Sequence, residues 1–132
     1  MKTIIEKPIQ NPKESPYLDW IKSGIKKFEG RLKSKIREWN LEIRKEIKFY
    51  DQDNPNSFVI VRITSLKVFS DFGVAFDALG DDLIPGRTRE EVIELYNRLN
   101  HYPNEVLITG IPSRMIQENG VVTIGFEIIS IH

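Results

Sequence analysis

The sequence predicts an α+β fold: a small, curved, mixed β-barrel with short helices at its periphery. Three observations lead there. The β-favouring run over residues 58–69 is unusually long, helical patterns gather after it, and no glycine-rich phosphate loop follows the first strand. The last point argues against a doubly wound parallel sheet, which the alternation of helix and strand would otherwise suggest.

The elements follow in chain order. Residues 1–14 hold two prolines and little periodicity, and are expected to be an extended N-terminal arm ahead of one domain over 15–132. Ser15-Pro16 has the form of a helix cap followed by proline at the first helical position. Tyr17, Trp20 and Ile21 then share one helical face, and Gly24 ends the helix. From 26 to 33 the pattern changes to alternation, with Phe28 and Leu32 on one side and Lys27, Glu29, Arg31 and Lys33 on the other. That is a half-buried strand with Lys26 at its mouth.

Residues 34–44 are polar apart from Ile36, Trp39 and Leu41, which fits a helical turn and a loop. A short strand is expected over 45–51, a turn at Asp51-Gln52-Asp53-Asn54-Pro55-Asn56, and then the long strand. Ser70 is placed to cap a helix bearing Phe72, Ala75, Phe76 and Leu79. Thr88-Arg89-Glu90-Glu91 has the spacing of a capping box, opening a helix with Val92, Leu95, Tyr96 and Leu99 inward. Residues 106–108 fit either a strand or the apolar end of a loop. A short helix over 112–119 stops at Gly120, and a Val/Ile-rich strand closes the chain over 121–131.

Composition bounds the function. The chain has 132 residues, enough to bury one core, and no apolar run of the roughly 18 residues that a membrane span needs. It has no cysteine and two histidines, His101 and His132, so there is no thiolate metal site, a mononuclear zinc site is hard to build, and no metal or cofactor is expected. The absence of cysteine and of a secretory leader pattern predicts an intracellular, cytoplasmic protein without membrane partners. With 19 basic and 19 acidic residues the formal net charge is zero, which argues against a protein that coats nucleic acid nonspecifically. The charge is unevenly spread. Between positions 22 and 48 there are ten Lys/Arg against four Glu, a local basic face able to steer a phosphate-bearing ligand.

The most informative stretch is Gly24-Ile25-Lys26-Lys27-Phe28-Glu29-Gly30-Arg31. Charged groups this close cost free energy by mutual desolvation unless they pair or face a wet cleft. Arg31 suits a phosphate or base edge through its planar fork, with Glu29 holding it, and Lys26 suits a phosphate contact or, with a depressed pKa, a nucleophile or base. A structural ion pair that orders the strand is the alternative. Ser70 at a helix start is a second candidate, against a plain capping role. Trp39, lying among Lys35, Arg37 and Arg44, is the aromatic placed to stack on a base, whereas Trp20 and Tyr96 sit on apolar helical faces and fit core packing.

The spacing Gly-x-Lys-x-x-Glu-x-Arg resembles the signature of the ASCH domain, a small β-barrel related to the PUA RNA-binding fold. The order of the later pieces extends the likeness over about residues 15–131: Phe69-Ser70-Asp71-Phe72, Leu83-Ile84-Pro85-Gly86, the helix with Tyr96, and Gly120-Val121-Val122-Thr123-Ile124. The resemblance implies a PUA-like barrel with a cleft lined by Lys26, Glu29 and Arg31. Such proteins have been linked to RNA binding, transcriptional coactivation, ribonuclease activity and hydrolysis of an acylated cytidine amide. The expected partner is therefore RNA or a nucleotide- or nucleoside-like small molecule, with Lys26, Glu29, Arg31, Trp39 and Ser70 as candidate binding residues. The alternatives are a hydrolase, with Lys26 the candidate catalytic residue, and a protein-interaction module. Two departures stand out. The amide-hydrolysing members carry a threonine three residues after the lysine, where this chain has Glu29, and a Gly-Asp pair that often precedes the second strand is replaced by Arg44-Lys45.

Overall fold

Two long antiparallel strands, β4 (Asn54–Phe69) and β5 (Val121–Ile131), form the spine of the computed structural model, which describes residues 4–132. Their pairing slips at Ile60/Val61 and again at Ile63/Ser65. Each slip bends the ribbon and adds twist, so strands this long curl instead of lying flat. Around the spine, β1 (Ile5–Ile9), β2 (Phe28–Leu32) and β3 (Glu46–Asp51) complete one five-stranded sheet in the order β1-β3-β4-β5-β2. β1 runs parallel to β3 and the other pairings are antiparallel. The sheet is thus mixed and curled into a half-barrel whose free edges are β1 and β2.

Among the described residues five short α-helices lie around it: α1 (Tyr17–Lys22), α2 (Lys33–Glu38), α3 (Phe72–Leu79), α4 (Arg89–Leu99) and α5 (Arg114–Asn119). Among the described residues no helix is long and apolar enough to cross a membrane. The predicted α+β class and barrel-like architecture with peripheral helices are what the molecule has.

Strand alternation divides the core in two. Val122 and Ile124 of β5 point inward to Ile47, Phe49, Val59, Val61 and Ile63, and this interior is plugged by Leu18 and Ile21 of α1 and Ile36 of α2. Val121, on the opposite face of β5, joins Leu32, Phe72, Ala75, Val92, Tyr96 and Ile116, so α3, α4 and α5 cover the outside of the sheet.

Several local expectations are corrected. Residues 5–9 of the expected arm are extended but hydrogen-bonded into the sheet as β1, because β3 offers a free edge of matching register. Ser15 does not cap α1: Pro16 occupies the cap position, and the Ser15 hydroxyl accepts a hydrogen bond from Arg87 Nη2. Ser70 does not cap α3 either. Asp71 does, its carboxylate accepting from Val74 N–H at 2.9 Å, as a charged acceptor one residue nearer the helix outcompetes the hydroxyl. In α4 the capping box at Thr88 and Glu91 is formed, but Leu99 is exposed and Ile93 is buried in its place. Residues 106–108 are loop, and the chain after them is tied to α4 by Asn97, which donates to Ile111 O and accepts from Ser113 N–H, both at 2.8 Å. At the Arg44-Lys45 departure, Arg44 has φ +77°, a left-handed conformation that glycine adopts without cost, while its N–H donates to Ile63 O.

Candidate functional site

The gap between edge strands β1 and β2 is a cavity of about 260 Å³. Glu29 and Arg31 reach it because they pair with Ile124 and Val122, whose side chains point into the half-barrel, and directly paired residues share a face. Lys26 arrives from the turn after α1, where the N–H groups of Ile25 and Lys26 both donate to Trp20 O. From the opposite side come Pro8, Ile9 and Gln10 around the end of β1, with Gln52 from the β3–β4 turn. Tyr17 and Tyr96 add aromatic wall, and Leu99 and Asn100 of the α4 end form part of the rim.

Lys26 is 2% exposed and Glu29 5%. The Glu29 carboxylate accepts from Arg31 Nη1 at 2.6 Å and from Gly30 N–H at 3.1 Å, both through Oε1. Arg31 Nη1 also donates to Gly30 O at 2.9 Å, and its side chain stays 26% exposed. Lys26 Nζ donates to the Leu83 carbonyl. Burial holds the Lys26 ammonium below the usual lysine range, with Arg31 pushing the same way and Glu29 opposing. For Glu29, burial alone would raise the carboxyl. The charges of Arg31 and Lys26 and the two hydrogen bonds outweigh it, so the group is held below the usual carboxylate range. Burial, reinforced by Glu29, raises the Tyr96 hydroxyl, which is neutral.

The wall therefore carries one fixed anion and two basic groups, with protein partners for only part of their capacity. An ammonium has three donors and, among the described residues, Lys26 uses one on the protein and both protein bonds to Glu29 fall on one oxygen. Such a surface can bind an anion or a group presenting a donor beside an acceptor. Among the described residues, no cluster of three or more His, Asp or Glu is placed to hold a metal ion.

Of the sequence-predicted site residues, Lys26, Glu29 and Arg31 come together. Trp39 stands beside them without lining the cavity: it is packed against the inner core, Lys7 Nζ sits 3.9 Å from its ring centre, and Arg31 Cζ lies 6.0 Å away. With Lys7 on its face, the ring supports Arg31 and does not present itself for base stacking. Ser70 is exposed and is not on the cavity wall. Sequence reasoning missed Tyr17, Gln10, Gln52 and Asn100 and assigned Tyr96 to the core alone. Tyr96 does both, stacking on Phe72 with centroids 3.6 Å apart while lining the cavity. No local signal marks Gln10 or Gln52, since the β1–β3 pairing brings them there.

No protein-family model and no curated protein sequence matches the chain. Two solved structures share its architecture over nearly their whole length. The crystal structure of hypothetical protein PH0355 has a TM-score of 0.71 and 26% identity, covering 96% of this chain and 100% of the other. The solution structure of protein PF0455 from Pyrococcus furiosus has a TM-score of 0.67 and 25% identity, covering 97% and 99%. The likeness carries the barrel-like fold; it assigns no ligand or reaction.

Proposed function

We propose that the chain is an ASCH-like protein that binds RNA or a nucleotide-like ligand in the cavity between β1 and β2. One observation carries the reading: Lys26, Glu29 and Arg31 converge on the wall of one cavity beside Tyr17 and Tyr96, with donors and an acceptor oxygen to spare. A structural ion pair would have no need of an adjoining cavity. At about 260 Å³ the space is near the lower end of ligand pockets and matches one base or nucleoside, free or displayed by a single strand. Lys26 and Arg31 take the phosphate or carbonyl oxygens, and Glu29 takes an N–H of the base.

Titration with a nucleoside, its monophosphate and a short single-stranded RNA tests this. Arg31→Ala weakens binding at least tenfold, while Lys13→Ala, on the exposed segment before α1, leaves it unchanged. With two cations in contact, affinity for RNA falls with salt at a log–log slope of about −1.4. Equal effects of the two substitutions overturn the assignment.

The hydrolase reading has one observation in its favour, the buried Lys26 amine whose pKa is lowered by burial. Ser70, away from the cavity, does not serve as its nucleophile. Product formation from RNA or acylated cytidine that Lys26→Ala abolishes decides for the enzyme; binding without turnover decides for the binding protein.

A further inference from the structure

Building on the reading of the β1–β2 cavity as a nucleotide-like site, we propose that the Tyr96 hydroxyl is a further ligand contact there and sets the ligand's orientation. The uncharged ring enters towards Tyr96, and the phosphate stays towards Arg31.

Tyr96 is 5% exposed, and among the described residues its hydroxyl has no hydrogen-bond partner. Of the fully enclosed side-chain polar atoms described, the Thr123 hydroxyl is the one without a partner. The Tyr96 hydroxyl is therefore not fully enclosed, and it opens on the cavity that its residue lines. Its place is held from two sides. The ring stacks on Phe72 with centroids 3.6 Å apart and planes 6° from parallel. The hydroxyl stands against the backbone of Gly30, where a Cβ would come within 2.9 Å of it. A side chain at position 30 would push the phenol away, so the bare Cα of Gly30 is what admits it. A group held in place beforehand loses little freedom when a ligand arrives.

The hydroxyl differs in charge from the rest of the wall. Lys26, Glu29 and Arg31 are ionic, whereas burial and the Glu29 carboxylate keep the phenol protonated. The same carboxylate repels an anion at this end of the cavity. Arg31, 26% exposed where Lys26 and Glu29 are buried, can meet a phosphate without stripping it of all its water. A ring carbonyl or ring nitrogen suits Tyr96, since each accepts from the phenol O–H and carries no charge.

Calorimetric titration with uridine, cytidine, adenosine and guanosine, and with their monophosphates, tests this. Tyr96→Phe keeps the ring and its stack, and weakens a nucleoside and its monophosphate by the same factor, about three- to tenfold, the worth of one neutral hydrogen bond. Tyr102→Phe, whose hydroxyl donates to Glu118 away from the cavity, leaves binding unchanged. Tyr96→Phe removes no protein hydrogen bond, so its urea midpoint is no lower than the parent's. A merely structural hydroxyl gives the reverse, a lower midpoint with affinity kept. Affinity unchanged in Tyr96→Phe, a loss larger for the monophosphate than for the nucleoside, or a parent that binds no member of either set overturns the proposal. The nucleotide reading itself is decided separately, by the RNA titration of Arg31→Ala against Lys13→Ala.

Discussion

Replacing Glu29 by glutamine keeps the side-chain volume and the hydrogen bond from Gly30 N–H, and removes the anion between Lys26 and Arg31. Taking away one partner of a buried pair costs about 3–5 kcal/mol, since the remaining charge stays buried without compensation. Arg31 is partly in water and recovers some solvation, so the expected loss at neutral pH is about 2–3 kcal/mol. For a domain of this size that lowers Tm by roughly 6–12 °C. The pH dependence is the sharper signature. Because folding lowers the Glu29 pKa from 4.5, its contribution is complete above that value and is lost as the pH falls through the folded pKa. The glutamine variant has no such contribution to lose, so the gap between the two proteins closes in acid. Lys26 also has a lowered folded pKa, against 10.5 unfolded. The cost of burying its charge is greater without Glu29, and it disappears as the pH rises through the lowered folded pKa towards 10.5. The gap thus narrows in acid as Glu29 is protonated and again in alkali as Lys26 loses its proton. Urea unfolding followed by tryptophan fluorescence across this range measures it. A gap constant with pH, or a glutamine variant more stable than the parent at pH 7, refutes the coupling of the three groups.

Three further substitutions probe packing around the site. Gly30→Ala places a methyl 2.8 Å from Phe72 Cε1 and 2.9 Å from the Tyr96 hydroxyl, where both rings are buried and stacked. Overpacking of this kind costs about 1–3 kcal/mol and appears as a lower urea midpoint with unchanged m-value. Thr123, fully buried opposite Gly30, has a hydroxyl without a hydrogen-bond partner among the described residues. Thr123→Val keeps the shape, removes the orphan, and raises stability by about 1 kcal/mol in the same assay. Arg44→Gly relieves the positive φ at a strain of about 1–2 kcal/mol, less the entropy that glycine adds to the unfolded chain, for a net gain of about 0.5–1 kcal/mol in Tm scans.

Much of this protein is written locally. The long strand, the closing strand over 121–131, the capping box at Thr88 and Glu91, and the alternation that sends Glu29 and Arg31 to one side of β2 depend on neighbours a few residues away. Periodicity therefore carries them. The caps expected at Ser15 and Ser70 are not formed, for different reasons: Arg87, 72 residues away, engages the Ser15 hydroxyl, and Asp71, next door to Ser70, caps α3 itself.

What the tertiary structure decided is the part that makes a site. Nothing in residues 5–9 shows that they pair with β3, and without that pairing there is no second wall opposite β2 and no cavity between the two edges. Trp39 has no sequence neighbour that covers its ring, but Lys7, carried in on β1, lies across its face. Tyr17, Gln10 and Gln52 become wall residues only when sheet curvature gathers segments distant in the chain. Local backbone preference sets which way a side chain points; long-range strand pairing sets what it points at.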